Sequence, residues 1–236
     1  DIAVHSFKDL PIESVPGLQF GAISKREDIR DVLISRNGEK LNELKSGAVI
    51  GTGSLRREIQ IKQMRPDLEV KFIQGNVDGR IKKMKDGEYD AIILAAAGLK
   101  RLGMLHEATE ILSAEDMIPA VGQGALALEI RDGDTETFKL VNKLNDKNTQ
   151  IAAESERVFL EALGGGCNFP IAAYAKVEKN HFSIKGLFAT ADGSIVEIDT
   201  MEGHKGSALQ LSRQLAYDLN NTLLERKRSL ESEAKS

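Results

Sequence analysis

The stretch AVIGTGSLRR, residues 48–57, combines a short apolar strand, a glycine turn and the start of a helix. Such a turn presents free backbone N–H groups and the positive end of the helix dipole, which together bind anions. Ser54 is placed to cap the helix, and Arg56 and Arg57 add planar donors that suit carboxylate or phosphate. Taken alone, the stretch is slightly better explained as an ordinary strand-to-helix turn, because it is neither a Walker loop nor a complete dinucleotide-binding fingerprint.

Two similar turns lie further along the chain. Residues 74–80, QGNVDGR, follow the next predicted strand and place Arg80 at the start of a helix; Lys100 and Arg101 follow Gly98 and the strand after that. All three basic groups come just after the carboxyl ends of successive strands, the edge at which open parallel sheets bind ligands. Their convergence favours an anionic ligand, with sulfate, phosphate and carboxylate all still open.

Short apolar strands alternate with helices up to about residue 125. The pattern predicts strands at 2–4, 19–23, 31–34, 48–50, 70–73 and 91–94, and helices at 55–65, 80–85 and 97–102. This alternation is typical of α/β proteins with parallel sheets covered on both faces. A loop at 118–125, with one proline and two glycines, interrupts the pattern before a strand at 126–130.

The pattern changes after a polar boundary at 145–149. A helix begins near Gln150 and three strands follow at 172–177, 181–189 and 195–201, the last two flanking the hairpin signal Asp192-Gly193. A long helix at 207–227 then has one predicted apolar face, formed by Leu209, Leu211, Leu215, Leu219, Leu223 and Leu224. These elements predict a small α+β domain.

Composition excludes several classes of protein. The 236 residues are 41% hydrophobic, which is enough for real cores, and the net charge of −4 argues against a generic binder of nucleic acid or membrane surfaces. The longest apolar stretch, 91–97, is too short to cross a bilayer. One cysteine excludes an internal disulfide and a multi-thiolate metal site. Since the chain opens inside a predicted strand, we expect a preceding segment to be missing.

Two further stretches carry candidate chemistry. Three glycines, 164–166, precede the single Cys167, and such a run predicts unusual backbone angles or a close backbone approach. Cys167 itself is a buried packing residue, a nucleophile or an attachment point. Lys8 and Asp9 follow the opening strand and form either a surface ion pair or a carboxylate site for acid–base work and cation stabilisation.

Together these motifs resemble the porphobilinogen deaminases, or hydroxymethylbilane synthases, of tetrapyrrole and haem biosynthesis. The resemblance rests on residues 1–11 (DIAVHSFKDLP), 51–57 (GTGSLRR), 75–80 (GNVDGR), 96–102 (AAGLKRL), 119–125 (PAVGQGA) and 165–170 (GGCNFP). Each motif alone is weak evidence, whereas all of them in the family's order are highly specific.

The resemblance implies an α/β fold with two lobes like those of periplasmic binding proteins, the first incomplete here, and a small α+β C-terminal domain. The implied domains are residues 1–24 with 125–143, residues 29–119, and residues 147–236. The resemblance also implies a transferase that joins four porphobilinogen molecules head to tail, releasing ammonia, and then hydrolyses off hydroxymethylbilane. A dipyrromethane cofactor, attached to Cys167 through a thioether, would serve as the primer.

The implied site follows the chemistry of this substrate. Each pyrrole carries acetate and propionate groups, so the growing chain is a polyanion that needs several guanidinium groups. Asp9 would be the catalytic carboxylate that stabilises the cation left when ammonia departs, with Lys8 beside it. The implied cofactor- and substrate-binding residues are Ser6, Thr52, Ser54, Arg56, Arg57, Arg80, Ala95, Gly98, Arg101, Gln123 and Gly166.

The chain departs from the family pattern at three places. Gln74 stands where the family has arginine, which predicts weaker binding of carboxylates, and Gly53 stands where serine is usual. The family's N-terminal arginine, serine and lysine residues are not in this sequence, so activity of this chain alone is not expected.

Two other functions fit part of the pattern. A non-catalytic two-lobe protein that binds a carboxylate-bearing ligand would leave Cys167 unmodified. A different anion-handling transferase would need a Walker loop or an acidic metal cluster, and neither motif is in the sequence. The resemblance further implies a cytoplasmic monomer that needs no metal and binds neither nucleic acid nor membrane.

Overall fold

The computed structural model describes residues 1–13, 15–165 and 170–233. The chain folds as two compact units: unit 1 comprises Asp1–Glu27 and Ala120–Ser236, and unit 2 comprises Asp28–Pro119. The finer division into three domains (1–24 with 125–143, 29–119 and 147–236) stays a prediction.

Helices and strands alternate along the chain. The strands are β1 (Ile2–Ser6), β2 (Leu18–Ile23), β3 (Asp31–Ser35), β4 (Val49–Gly51), β5 (Glu69–Lys71), β6 (Ala91–Ala95), β7 (Glu110–Ile111), β8 (Leu126–Arg131), β9 (Ile171–Glu178), β10 (His181–Ala189) and β11 (Val196–His204). The α-helices are α1 (Leu55–Met64), α2 (Val77–Lys85), α3 (Ala96–Arg101), α4 (Thr135–Val141), α5 (Lys147–Ala162) and α6 (Ala208–Glu233). Short 3₁₀ helices cover Phe7–Asp9, Leu105–Glu107, Asn142–Leu144 and Lys205–Ser207. The predicted α/β class is confirmed.

Unit 2 is built on a five-stranded sheet of order β5-β4-β6-β3-β7. Strand β4 pairs in parallel with β5 and β6, whereas β3 pairs antiparallel with β6 and β7. Strand β6 is buried on both faces, since Ile93 packs in one apolar cluster while Ile92 and Leu94 pack in another. Burial on both faces explains why this strand is an uninterrupted apolar run in the sequence.

The first sheet of unit 1, like strand β3 of unit 2, corrects the expectation of parallel pairing. Its order is β1-β8-β2, and β8 runs antiparallel to both neighbours, with Ile2 opposite Ile130 and Gln19 also opposite Ile130 on the other side. The central strand comes from the part of the chain that follows unit 2. Apolar alternation therefore identified the strands, but it did not determine their partners or directions.

The C-terminal part of unit 1 is the predicted α+β module. Strands β9, β10 and β11 form an antiparallel meander, and helices α5 and α6 pack against it. The predicted apolar face of α6 was too wide, because Leu209 and Leu224 are exposed while Leu215, Leu219 and Leu223 are buried. These three lie four residues apart, in the single stripe that meets the meander.

Within the described ranges, no helix is both long and apolar enough to span a membrane.

Candidate functional site

The basic turns predicted from the sequence meet at one edge of the unit 2 sheet. Strands β5, β4 and β6 are neighbours and parallel, so their carboxyl ends point the same way. From those ends the chain enters α2, α1 and α3 respectively. The segments that leave this edge carry eight of the predicted binding residues, namely Thr52, Ser54, Arg56, Arg57, Arg80, Ala95, Gly98 and Arg101.

The turn after β4 is held by hydrogen bonds of its own. Thr52 is buried; its amide donates to the Lys71 carbonyl (3.0 Å), and its hydroxyl accepts from the Ser54 amide (3.2 Å). Ser54 occupies the N-cap position of α1 with an extended backbone, but its side chain makes no capping hydrogen bond. The turn thus keeps its shape without using the Ser54 hydroxyl.

Arg56 and Arg57 share one carboxylate inside unit 2. Asp31, at the start of β3, has no exposed surface and accepts from Arg56 Nη2 (2.9 Å) and from Arg57 Nη2 (2.8 Å). Each arginine also donates to a backbone carbonyl: Arg56 to Ile118 (2.7 Å) and Arg57 to Ile93 (3.1 Å). The first turn of α1 is therefore tied to β3, to β6 and to the end of the unit.

This cluster has more positive than negative charge. Two guanidinium groups face one carboxylate, and neither of the buried Nε atoms has a hydrogen-bond partner among the residues that the structure describes. Burial lowers the pKa of the Arg56 guanidinium, the Asp31 carboxylate opposes that shift, and the charge of Arg57 adds to it. Unpartnered buried donors cost free energy, so a cluster of this kind is suited to an additional anion.

Arg80 adds another positive group at the same edge. Its Nε donates to the Gly75 carbonyl (2.7 Å), and among the described residues no carboxylate pairs with its guanidinium. Partial burial lowers the pKa of Arg80, and the charge of Arg57 lowers it further. Helix α2 is capped by Asn76, whose side chain accepts from the Gly79 amide (2.9 Å). This cap holds the first turn of the helix, and with it the backbone of Arg80, in place.

The junction of β6 and α3 completes the edge. Ala95 is half-buried, and the next amide, Ala96, donates to the Arg30 carbonyl (2.9 Å). Gly98 borders open space, and Arg101 is exposed at the last turn of α3. The pKa of Asp28 is lowered mainly by its hydrogen bonds to Arg30, and the charge of Lys100 contributes.

The remaining described site residues, Ser6, Lys8, Asp9 and Gln123, belong to unit 1. Ser6 ends β1, and the 3₁₀ turn Phe7–Asp9 follows directly with Phe7 buried, Lys8 half-buried and Asp9 exposed. The loop before β8 packs on this turn, because the Phe7 amide donates to the Ala125 carbonyl (3.0 Å). Gly122 has φ of 72° and contacts the Phe7 ring so closely that a side chain would not fit.

Glu156 holds that loop in place and was not anticipated from the sequence. Its buried carboxylate accepts from the Gly122 amide and the Ala175 amide, both at 2.7 Å. Arg26 binds both of its oxygens, at 2.6 and 3.0 Å, and also donates to the Gln123 carbonyl (2.8 Å). This network fixes the backbone on either side of the buried Gln123.

Cys167 and Gly166 lie outside the described residues. The two glycines before them end α5 with φ of 85° at Gly164 and 31° at Gly165. Gly165 is also in close contact with Ile12, which follows the Lys8–Asp9 turn in the chain. The predicted unusual backbone angles and close approach are thus present at these two glycines.

Asp31 and Glu156 are the two buried acids that sequence reasoning missed. Each had a signal, because an aspartate opens the apolar run DVLI and a glutamate lies in α5 at the apolar stripe that faces the meander. Neither signal identifies the arginine partner, which is distant in sequence. In the ranges 1–13, 15–165 and 170–233, no three His, Asp or Glu side chains are grouped so that they could hold a metal ion.

Comparisons with known proteins identify the family. Residues 1–139 match the family model "Porphobilinogen deaminase, dipyromethane cofactor binding domain", and residues 150–225 match "Porphobilinogen deaminase, C-terminal domain". The porphobilinogen deaminase of Lysinibacillus sphaericus is 49% identical over 226 residues, covering 93% of this chain and 73% of that protein. The Bacillus subtilis porphobilinogen deaminase is 48% identical over 206 residues, covering 86% of this chain and 66% of that protein.

The solved structures that match part of this chain include a periplasmic binding protein of Salmonella typhimurium. It is 15% identical, with a TM-score of 0.32 over 53% of this chain and 55% of that one. A YaeC-family lipoprotein of Enterococcus faecalis is 13% identical, with a TM-score of 0.38 over 60% of this chain and 68% of that one. At these TM-scores neither match supports a conclusion about this chain. The two family models and the curated relatives settle the assignment: the chain belongs to the porphobilinogen deaminase family.

Proposed function

We propose that this chain provides the carboxylate-binding edge, the catalytic aspartate and the cofactor cysteine of a hydroxymethylbilane synthase, a transferase of tetrapyrrole and haem biosynthesis. It joins four porphobilinogen molecules head to tail and releases ammonia at each addition. Family membership favours this function over a non-catalytic two-lobe binding protein. The observation that carries the proposal is the Asp31–Arg56–Arg57 cluster, in which a buried positive charge and two unpartnered Nε–H donors remain after internal pairing.

The unit 2 edge is the proposed carboxylate-binding surface. Arg56, Arg57, Arg80 and Arg101 hold the acetate and propionate groups of the pyrroles, and the turn at Thr52 and Ser54 fixes the start of the helix that carries Arg56 and Arg57. Ala95 and Gly98 present little side chain, so a ligand can approach the backbone there. An edge with an excess of guanidinium groups suits a substrate that gains negative charge with every addition.

The unit 1 turn is the proposed catalytic element. Asp9 is exposed on the turn Phe7–Asp9, where its carboxylate stabilises the positive charge that develops on the substrate as ammonia leaves. Lys8 and Ser6 flank it, and Gln123 is held beside the turn by the Glu156 network. The buried Phe7 and the absence of a side chain at Gly122 fix the backbone that carries Asp9.

Dipyrromethane, attached to Cys167, is the cofactor and supplies the primer to which the first substrate is joined. The residues present fit such a polyanionic group, because the Arg56–Arg57 pair keeps two unpartnered buried donors and Arg80 has no carboxylate partner within the described ranges. Gly166 directly precedes Cys167 in the sequence. The left-handed backbone of Gly164 and Gly165 turns the chain out of α5 just before it.

Cellular context and organisation belong to the same proposal. The substrate is the small molecule porphobilinogen, and the chain works as a monomer in the cytoplasm without metal, nucleic acid or membrane. Its three domains are residues 1–24 with 125–143, residues 29–119, and residues 147–236.

The mass of the purified protein tests the proposal. We expect the intact mass to exceed the sequence mass by one dipyrromethane, and Cys167→Ser to abolish the excess. Since the chain has one cysteine, this variant removes the only thiol. Binding of porphobilinogen with an unmodified Cys167 would instead support the non-catalytic binding protein.

A further inference from the structure

Phe72 is the most exposed large hydrophobic side chain among the described residues, at 71%. It lies one residue beyond the end of β5, at the sheet edge that carries Arg56, Arg57 and Arg80. Covering this ring with a ligand would remove apolar area from water, which favours binding. The carboxylate-binding role proposed for this edge makes no use of an aromatic ring.

The backbone below Phe72 is firmly held. The Tyr89 hydroxyl donates to the Phe72 carbonyl (2.9 Å), Lys83 Nζ donates to the Gln74 carbonyl (3.2 Å), and Arg80 Nε donates to the Gly75 carbonyl (2.7 Å). The intervening Ile73 is buried in the unit 2 core. The exposure of Phe72 is therefore not the result of a loosely held loop, because the backbone that carries its ring is anchored.

The Phe72 ring lies next to Gly53. A Cβ at Gly53 would lie 3.4 Å from Cε2 of Phe72 and 3.0 Å from the Ile73 carbonyl oxygen, so the ring lies against the turn that leads into α1. With glycine there, the turn offers an apolar planar surface where the family resemblance implies a serine hydroxyl. A ring in this position borders the turn that precedes Arg56 and Arg57.

We propose that Phe72 is a substrate-binding residue whose ring stacks against a pyrrole ring of the bound ligand. This inference rests on the proposed function, because it takes its ligand class from it: a planar aromatic ring with carboxylate arms. Aromatic rings pair in offset or edge-to-face geometry and gain free energy beyond the area they bury. The arginines at the edge hold the carboxylates while Phe72 covers a face of the ring that carries them.

A tryptophan reporter tests the contact directly. The chain has no tryptophan, so Phe72→Trp introduces a single indole, and Tyr217→Trp on α6 gives a control at a side chain that is 63% exposed. On titration with porphobilinogen, we expect the emission of the Phe72→Trp protein to change and saturate. The emission of the Tyr217→Trp protein should stay constant.

Two further variants separate aromatic stacking from simple apolar contact. We expect Phe72→Ala to weaken porphobilinogen binding roughly three- to tenfold by calorimetry, and Phe72→Leu to recover only part of the loss.

The outcomes distinguish this inference from the function on which it rests. If the wild-type chain binds porphobilinogen while the Phe72→Trp emission does not respond and Phe72→Ala binds normally, the stacking contact is refuted and the proposed function stands. If the wild-type chain carries no dipyrromethane on Cys167 and does not bind porphobilinogen, both are refuted.

Discussion

At the scale of the residue, the Asp31 cluster shows how stability and binding share one set of side chains. A carboxylate with no exposed surface would be strongly unfavourable alone, and here two arginines and their charges compensate it. The same carboxylate fixes both guanidinium groups at the first turn of α1. One buried acid therefore stabilises unit 2 and sets the positions of two groups in the proposed binding surface.

Replacing Asp31 tests that dual role. We expect Asp31→Asn to destabilise unit 2 by about 3–5 kcal/mol, because removing one partner leaves buried charges uncompensated. Urea unfolding measures the loss. Asp28→Asn is the matched control: its partner Arg30 is 43% exposed, so that pair should contribute at most about 1 kcal/mol. Equal effects of the two substitutions would contradict the argument.

At the scale of the element, strands and helices were predictable wherever local burial determines the pattern of apolar residues. The apolar run of β6 reflects packing on both faces, and Asp192-Gly193 marks a real turn, with Gly193 at φ of 71°. Pairing was not predictable in the same way, since β8 meets β1 and β2 across long separations in sequence. The pairing of Asp31 with Arg56 and Arg57 could not be predicted for the same reason, because these arginines lie on another element.

The turn between β10 and β11 allows a pH test at this scale. Hydrogen bonds from Thr190, and then from the amide and hydroxyl of Ser194, lower the pKa of Asp192 from its ordinary value of 3.8 to about 2. A lowered folded-state pKa stabilises the fold above the ordinary value, and this contribution is lost as pH falls from about 4 to about 2.

Asp192→Asn keeps the shape of the side chain and removes its charge. We expect wild type to unfold at a higher urea concentration than Asp192→Asn at pH 6, and the gap to close as the pH is lowered from 4 towards 2. Asp132→Asn is the control, because within the described ranges the exposed Asp132 side chain makes no hydrogen bond or ion pair. A gap that stays constant down to pH 2 would show that the charge of Asp192 has no stabilising role.

At the scale of the whole molecule, the two units differ in continuity. Unit 2 is one uninterrupted segment, Asp28–Pro119, and both of its apolar clusters consist only of its own residues. Unit 1 is assembled from segments on either side, and its first sheet cannot form until β8 lies between β1 and β2. Continuity of this kind is a property of independently folding domains.

Unit 2 should therefore fold alone. We expect a fragment comprising residues 28–119 to unfold in one cooperative urea transition, because its sheet, its two clusters and the Asp31–Arg56–Arg57 network are complete within it. Asp31→Asn should lower the stability of this fragment as much as it lowers that of unit 2 in the full chain. A peptide of residues 1–27 provides the contrast, since β1 and β2 pair with β8 and not with each other, and it should stay unstructured. A fragment 28–119 that lacks a cooperative transition would mean that contacts outside these residues stabilise unit 2.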